Sequence, residues 1–313
     1  MTVLSVRHRT VYNYKNPVNF GEHRLMCRPR DSHDLRLLDA TLTISPPAAT
    51  TRWIHDVFGN SIAITSFTEQ AQQLVFESSF RAEHYPLPAR EIVLEEYARA
   101  LPFSYAVDEI PDLVRRTERH YPDPERSIDI WARSFLENTP DHSTMGTLLT
   151  LNKAIKAEFS YARREEEGTQ LPADTLRTKS GSCRDFALLM MEAVRTYGLA
   201  AQFVTGYLYD EKLIGAGGGL VGGGETHAWL QVYLPGAGWV EFDPTNALVG
   251  GRNLIRIAVA RDASQAVPLA GSFVGQPDDF LGMEVKVAVT AESAVGWGFV
   301  PALHACVIRG GRG

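Results

Sequence analysis

The sequence predicts an α+β protein: a β-sandwich-like module first, then a core in which one helix packs on an antiparallel sheet. Three observations predict it. Short runs alternating apolar and polar residues, broken by Gly, Pro and Asn, fill roughly the first 85 residues. One strongly periodic helix pattern stands at 186–197, with Phe186, Leu189, Met190, Ala193, Val194 and Tyr197 on one face. Two strand patterns joined by a Pro-Gly turn follow, at 227–234 and 238–243.

The chain has 313 residues, enough for about two domains at roughly 100–200 residues each. The expected division is a β-rich module over 1–90, a Pro-rich helical connection over 91–142, a core over 143–265 and a β-rich tail over 266–313. In the first module, Val3–Val6, Thr10–Tyr14, Leu38–Ile44, Trp53–Val57, Ser61–Phe67 and Gln73–Phe80 read as short antiparallel strands. Between the prolines of 86–142, Ile128, Trp131, Phe135 and Leu136 share one helix face. Ser143–Tyr161 reads as a helix with Ser143 or Thr144 as N-cap, and Ala162–Ser180 as a polar loop. Gly198 closes the strong helix. Strands are expected at Ala201–Tyr209, His227–Leu234, Gly238–Asp243 and Met283–Val289.

Composition excludes several functions. Lys plus Arg number 31 against 37 Asp plus Glu, a net charge of −6, so nothing electrostatic recommends a nucleic-acid partner. The three cysteines, Cys27, Cys183 and Cys306, are far apart and offer neither zinc spacing nor a disulfide framework. The charged start around Arg7, His8 and Arg9 is unlike a signal peptide. The longest apolar stretch, Ser293–Ile308, holds Pro301 and His304 and falls short of a membrane helix. A cytoplasmic protein without a membrane partner is the expectation.

One cysteine stands in a chemical setting. In Ser180-Gly181-Ser182-Cys183-Arg184-Asp185, Ser182 is a good N-cap and Asp185 the acidic member of a capping box. Cys183 then occupies the first helical position, where unpaired N–H groups and the helix dipole favour a thiolate. Gly181 permits a close approach of backbone or substrate. A lone buried cysteine is commonplace, so the rest of the site decides. A thiolate nucleophile needs a base, and the base an orienting acceptor. His227 opens a strand whose alternation puts His227, Trp229, Gln231 and Tyr233 on one face. A three-residue loop, Pro235–Ala237, sets Asp243 opposite Trp229, one diagonal step from His227. An even-numbered loop would separate the two onto opposite faces.

These blocks resemble the bacterial transglutaminase-like superfamily. Ser180–Ala187 is similar to its cysteine motif, and Phe159-Ser160-Tyr161 to its F-x-Y element. Gly206-Tyr207, Thr226–Trp229 and Gly238–Asn246 resemble its remaining blocks, in order, over residues 143–250. The β-rich first part resembles the N-terminal region that accompanies this core in bacteria. The resemblance implies a papain-like fold with Cys183 as nucleophile, His227 as base and then acid, and Asp243 as the orienting carboxylate. The Cys183 N–H is a candidate oxyanion donor, and Tyr161, Trp229 and Asn246 are candidate oxyanion or supporting residues. Animal members carry a tryptophan upstream of the cysteine, and no Trp lies between Trp131 and Cys183. No acidic loop has calcium-ligand spacing, and neither a metal nor an organic cofactor is expected.

The functional expectation is a cysteine-dependent acyl-transfer enzyme that hydrolyses a peptide or amide through a thioester. The alternatives are a protein-glutamine transglutaminase, in which an amine replaces water, and a non-catalytic binding module that keeps the fold. The Gly-rich run 215–224 lacks a following Lys-Ser/Thr and leads into a strand, so it reads as a surface loop or flap rather than a phosphate cradle. The N-terminal module is a candidate contact for a second copy.

Overall fold

The computed structural model describes residues 2–86, 89–164, 168–209 and 224–292. Its N-terminal module is a two-layer β-sandwich. Strand β1 (Thr2–Phe20) is followed by β2 (His23–Arg28), β3 (Leu35–Ser45), β4 (Thr50–His55), β5 (Ser61–Ser66) and β6 (Ala71–His84). β1, β6 and β3 are neighbours in one sheet, and β2, β5 and β4 in the other. Period-two alternation sends Tyr14, Val18, Phe20, Leu74 and Phe76 from the first sheet and Leu25, Cys27 and Ala63 from the second into one apolar layer. The runs Val3–Val6 and Thr10–Tyr14, expected as separate strands, belong to one strand of 19 residues. Its pairing with β6 breaks only between Asn13 and Val18, around Lys15, Asn16 and Pro17.

The connection holds α1 (Ile110–Thr117) and α2 (Ser127–Glu137). The core opens with α3 (Thr144–Glu158), whose N-cap Ser143 Oγ accepts the Gly146 N–H at 3.2 Å. The helix stops there, three residues short of the expected end. Phe159 is extended (φ −109°, ψ 138°), and Ser160–Tyr161 forms β7. The expected polar loop also contains regular structure, in α4 (Pro172–Thr178) and β8 (Ser180–Gly181). β7 and β8 run parallel, with Tyr161 beside Gly181.

Helix α5 (Cys183–Thr196) is the centre of the core. Every residue from Cys183 to Arg195 except Arg184 is buried. It packs on β9 (Ala201–Leu208) and β10 (His227–Leu234) on one side and on α2, α3 and α4 on the other. Each fully buried Leu or Met of this helix contributes about 1.5–3 kcal/mol of transfer free energy. Three of its charges, Asp185, Glu192 and Arg195, are buried too, but each is paired, Asp185 with Arg164. Arg195 Nη1 donates to Glu192 Oε1 at 2.9 Å, and Arg119 Nε to Glu192 Oε2 at 2.9 Å. Gly198, at φ +79°, ends the helix as the sequence pattern requires.

The core sheet continues with β11 (Gly238–Asp243), β12 (Leu248–Val249) and β13 (Leu254–Ala260), in the order β12-β11-β10-β9-β13. The last strands, β14 (Leu269–Ala270), β15 (Phe273–Val274) and β16 (Phe280–Ala291), return to the sandwich. β15 and β16 pair with β1, and β14 with β2. The two halves share an apolar interface in which Leu4, Val6, Leu35 and Phe80 meet Tyr207, Ile255 and Ile257. Within it, His8 Nδ1 and the Tyr207 hydroxyl are hydrogen-bonded at 2.8 Å. Among the described residues, no helix is long and apolar enough to cross a membrane. Cys306, Ser293–Ile308 and most of the Gly-rich run lie outside the described residues.

Candidate active site

The helix start that carries Cys183 is built around Asp185. This carboxylate is fully buried and accepts four short hydrogen bonds. They come from the Ser182 N–H and hydroxyl at 2.8 Å each, the Gln170 N–H at 2.7 Å and Arg164 Nη1 at 3.1 Å. The negative charge also complements the positive end of the α5 dipole. Gly181 is required here because a Cβ would come within 2.9 Å of Asp185 Cβ and 3.1 Å of Gln170 Nε2. The group that approaches Gly181 closely is therefore Asp185 rather than a substrate. The result is a buried, unbridged Cys183 at the first position of α5, where its N–H has no intrahelical acceptor.

The partner strands arrive through the β10–β11 hairpin. Leu234 pairs with Gly238 and Leu230 with Phe242, so the connecting loop is the odd, three-residue one. Extending the register by one pair sets Asp243 opposite Trp229, and the diagonal brings it to His227. His227 Nε2 donates to Asp243 Oδ2 at 2.9 Å, and both side chains are wholly inaccessible. Asp243 is itself fixed by the Asn246 amide at 2.8 Å to Oδ2 and by the Thr245 N–H at 2.9 Å to Oδ1.

With Nε2 committed to Asp243, the other ring nitrogen, Nδ1, is buried without a hydrogen bond of ordinary geometry. The Cys183 side chain lies close enough to act on the ring as both a hydrogen-bonding and a charge partner. Burial alone would push the His227 pKa below 6.5. The Asp243 charge and hydrogen bond, reinforced by Cys183, outweigh it and raise His227 to about 10. The ring thus lies between Cys183 and Asp243, in the order that a nucleophile, a base and an orienting carboxylate require.

The three supporting candidates occupy different places. Asn246 bonds Asp243 directly. Trp229 is fully buried and stacks on the His227 ring, with centroids 6.0 Å apart and planes 27° apart. Tyr161 stands at the rim, 38% exposed, with its ring edge-on to Phe186. Burial first, and then the neighbouring Cys183 and Glu225, push the Tyr161 phenol up to about 12, so it is a neutral donor at physiological pH. The rim is crossed by an ion pair from Arg163 Nη1 to Glu225 Oε1 at 2.6 Å.

Sequence reasoning misses part of the site. Glu241, two residues before Asp243 on the same strand face, is buried and accepts hydrogen bonds from Trp229 Nε1, from Gln231 Nε2 at 2.8 Å and from Arg256 Nη1 at 2.8 Å. A carboxylate on a strand otherwise read as core, and an arginine inside the apolar run Leu254–Ala260, are the signals that could have found this pair.

Comparison with known proteins places this architecture. Residues 4–83 match the bacterial transglutaminase-like N-terminal region, and residues 131–244 match the transglutaminase-like superfamily. The chain belongs to the transglutaminase-like superfamily, with the bacterial N-terminal region ahead of the core. An uncharacterized protein of Mycobacterium tuberculosis is 28% identical over 282 residues, which span 85% of this chain and 86% of that one. A crystal structure of a candidate cysteine protease from Cytophaga hutchinsonii superposes with a TM-score of 0.71 at 18% identity. That superposition covers 97% of this chain and 94% of the other, so the fold is shared throughout. A protein-glutamine gamma-glutamyltransferase of Pseudomonas aeruginosa is 35% identical over 68 residues, which are 22% of this chain and 10% of that one.

Proposed function

We propose that this protein is a cysteine-dependent acyl-transfer enzyme that hydrolyses a peptide or amide bond. The observation that carries the proposal is the buried line of Cys183, His227 and Asp243, with His227 Nε2 bonded to Asp243 at 2.9 Å and Nδ1 left for the thiol. The Cys183 thiolate attacks the carbonyl carbon, and the carbonyl π electrons move to oxygen. The Cys183 N–H at the start of α5 is positioned to receive that oxyanion, with the Tyr161 hydroxyl as second donor. Collapse of the tetrahedral adduct breaks the C–N bond, and His227 gives its Nδ1 proton to the departing amine. The neutral imidazole then takes a proton from water as the water attacks the thioester. The acid product leaves, and thiolate and imidazolium are restored. Asp243 holds the ring orientation and stabilises the imidazolium without changing its own protonation.

An amine can replace water in the second half. The segment matched to the glutamyltransferase favours keeping that reading in view. One experiment separates the outcomes: incubation with a peptide pool in ¹⁸O-water containing a labelled primary amine. Hydrolysis gives ¹⁸O in new carboxyl groups that depends on Cys183, and transamidation gives amine adducts. Neither product above the level of Cys183→Ala, across peptides and simple carboxamides, would refute the enzymatic reading and favour a binding role.

A further inference from the structure

A continuous chain of side chains with no part in the bond-breaking step runs from the N-terminal sandwich to the His227 ring. Trp229 stacks on the imidazole and donates its indole N–H to Glu241 Oε2. Glu241 Oε1 accepts from Arg256 Nη1 on β13 at 2.8 Å. Arg256 Nη2 donates to both oxygens of Asp34 at 3.1 Å each. Asp34 lies just before β3 in the sandwich, where its Oδ1 also accepts from the Ser32 hydroxyl at 2.5 Å.

The chain is an odd choice if its only task is to fill space. Glu241 is 7% exposed, and burial drives its pKa up despite Arg256, Trp229 and Gln231. A buried charge of this kind adds little net stability, because desolvation consumes most of the Coulombic gain. What it does fix is geometry. The indole is tied at its N–H by Glu241. At the other end it lies against Gly206, where a Cβ would come within 2.6 Å of Trp229 Cη2 and 2.1 Å of the Ile255 carbonyl oxygen. Gly206 is also the register partner of His227. The ring plane of Trp229, and with it the surface on which His227 rests, is therefore determined at both ends.

We propose that Asp34, Arg256 and Glu241 are positioning residues which, through Trp229, hold the His227 ring with Nδ1 towards Cys183, so that the N-terminal module is a working part of the site. The proposal rests on the acyl-transfer reading above. It is tested on the full chain with Asp34→Asn and Glu241→Gln, which keep side-chain size. The readouts are the iodoacetamide alkylation rate of Cys183 across pH 5–10 and thermal unfolding. The titratable groups that act on His227 are Cys183 and Asp243, and both stay unchanged in these variants.

Both variants are expected to slow alkylation at neutral pH by about 10- to 100-fold, the usual effect of an ångström-scale misplacement, and to displace its pH profile. Asp34→Glu should recover most of the rate. Leu74→Ala, in the sandwich core away from the chain, should lower the melting temperature and leave rate and profile as in wild type. Variants that lose melting temperature but keep the wild-type rate and profile would overturn the positioning role, since a merely structural link behaves that way. If instead wild-type Cys183 reacts no faster than in His227→Ala, the acyl-transfer reading itself falls. Should Asp34→Asn fail to fold, Glu241→Gln alone decides.

Discussion

Replacing Asp243 by Asn keeps the shape of the side chain and removes its charge. His227 is held at about 10 instead of 6.5, against the desolvation that burial imposes. At 1.36 kcal/mol per pH unit, that gap corresponds to roughly 5 kcal/mol in favour of the imidazolium. The Asp243 charge and hydrogen bond precede Cys183 among the groups that raise it, so at least half, about 2–3 kcal/mol, should disappear in the variant. His227 should then be mostly neutral at pH 9 in Asp243→Asn and still mostly protonated there in the wild type. Selective ¹⁵N labelling of histidine reads this directly, with the His227 resonances identified by their absence in His227→Gln. A group whose folded pKa is raised stabilises the fold fully below about 6.5 and loses that contribution as pH rises through about 10. The wild type should therefore lose more melting temperature between pH 7 and 10 than Asp243→Asn does. A wild-type His227 that titrates near 6.5, or one whose titration is the same in Asp243→Asn, would show that Asp243 does not hold the imidazolium.

Other perturbations have equally definite outcomes. Asp185→Ala strips Ser182, Gln170 and Arg164 of a buried acceptor, and chemical denaturation should show a loss of about 3 kcal/mol. A loss within 0.5 kcal/mol, about what an ordinary surface substitution gives, would show that the helix start is organised by something else. Gly206→Ala forces a methyl group against the Ile255 carbonyl and the Trp229 indole, and should destabilise by about 1–3 kcal/mol while slowing Cys183 alkylation. Wild-type stability in that variant would mean that Trp229 has room to move.

The parts of this protein that could be read from its sequence are those whose signals are local. Helix α5 announces itself through a cap, a 3.6-residue period and a closing glycine, all within Ser182–Gly198. The His227–Asp243 approach could be worked out because a three-residue loop fixes register, and register fixes faces. Short or long-range features were harder. Helix α4 has seven residues, too few for a period, and starts at Pro172 inside a polar stretch. The two-residue pair β7–β8 exists only because the helix start and the segment after α3 meet in space. That meeting is also why α3 ends at Glu158 rather than at Tyr161. The β1 ladder with β16 joins residues more than 260 positions apart, such as Leu4 and Ala291, and nothing local marks such a partner. The same holds for Arg256 and Asp34, 222 positions apart, whose contact makes sense only once both halves are folded.

The proposed function requires that His227 and Asp243 make Cys183 a nucleophile. The most direct measurement is mass spectrometry of the full chain treated with one equivalent of iodoacetamide at pH 7. A single adduct located on Cys183 is expected, with none on the buried Cys27 and near-complete loss of labelling in His227→Ala. Labelling of Cys183 at the same rate in His227→Ala as in the wild type would contradict it.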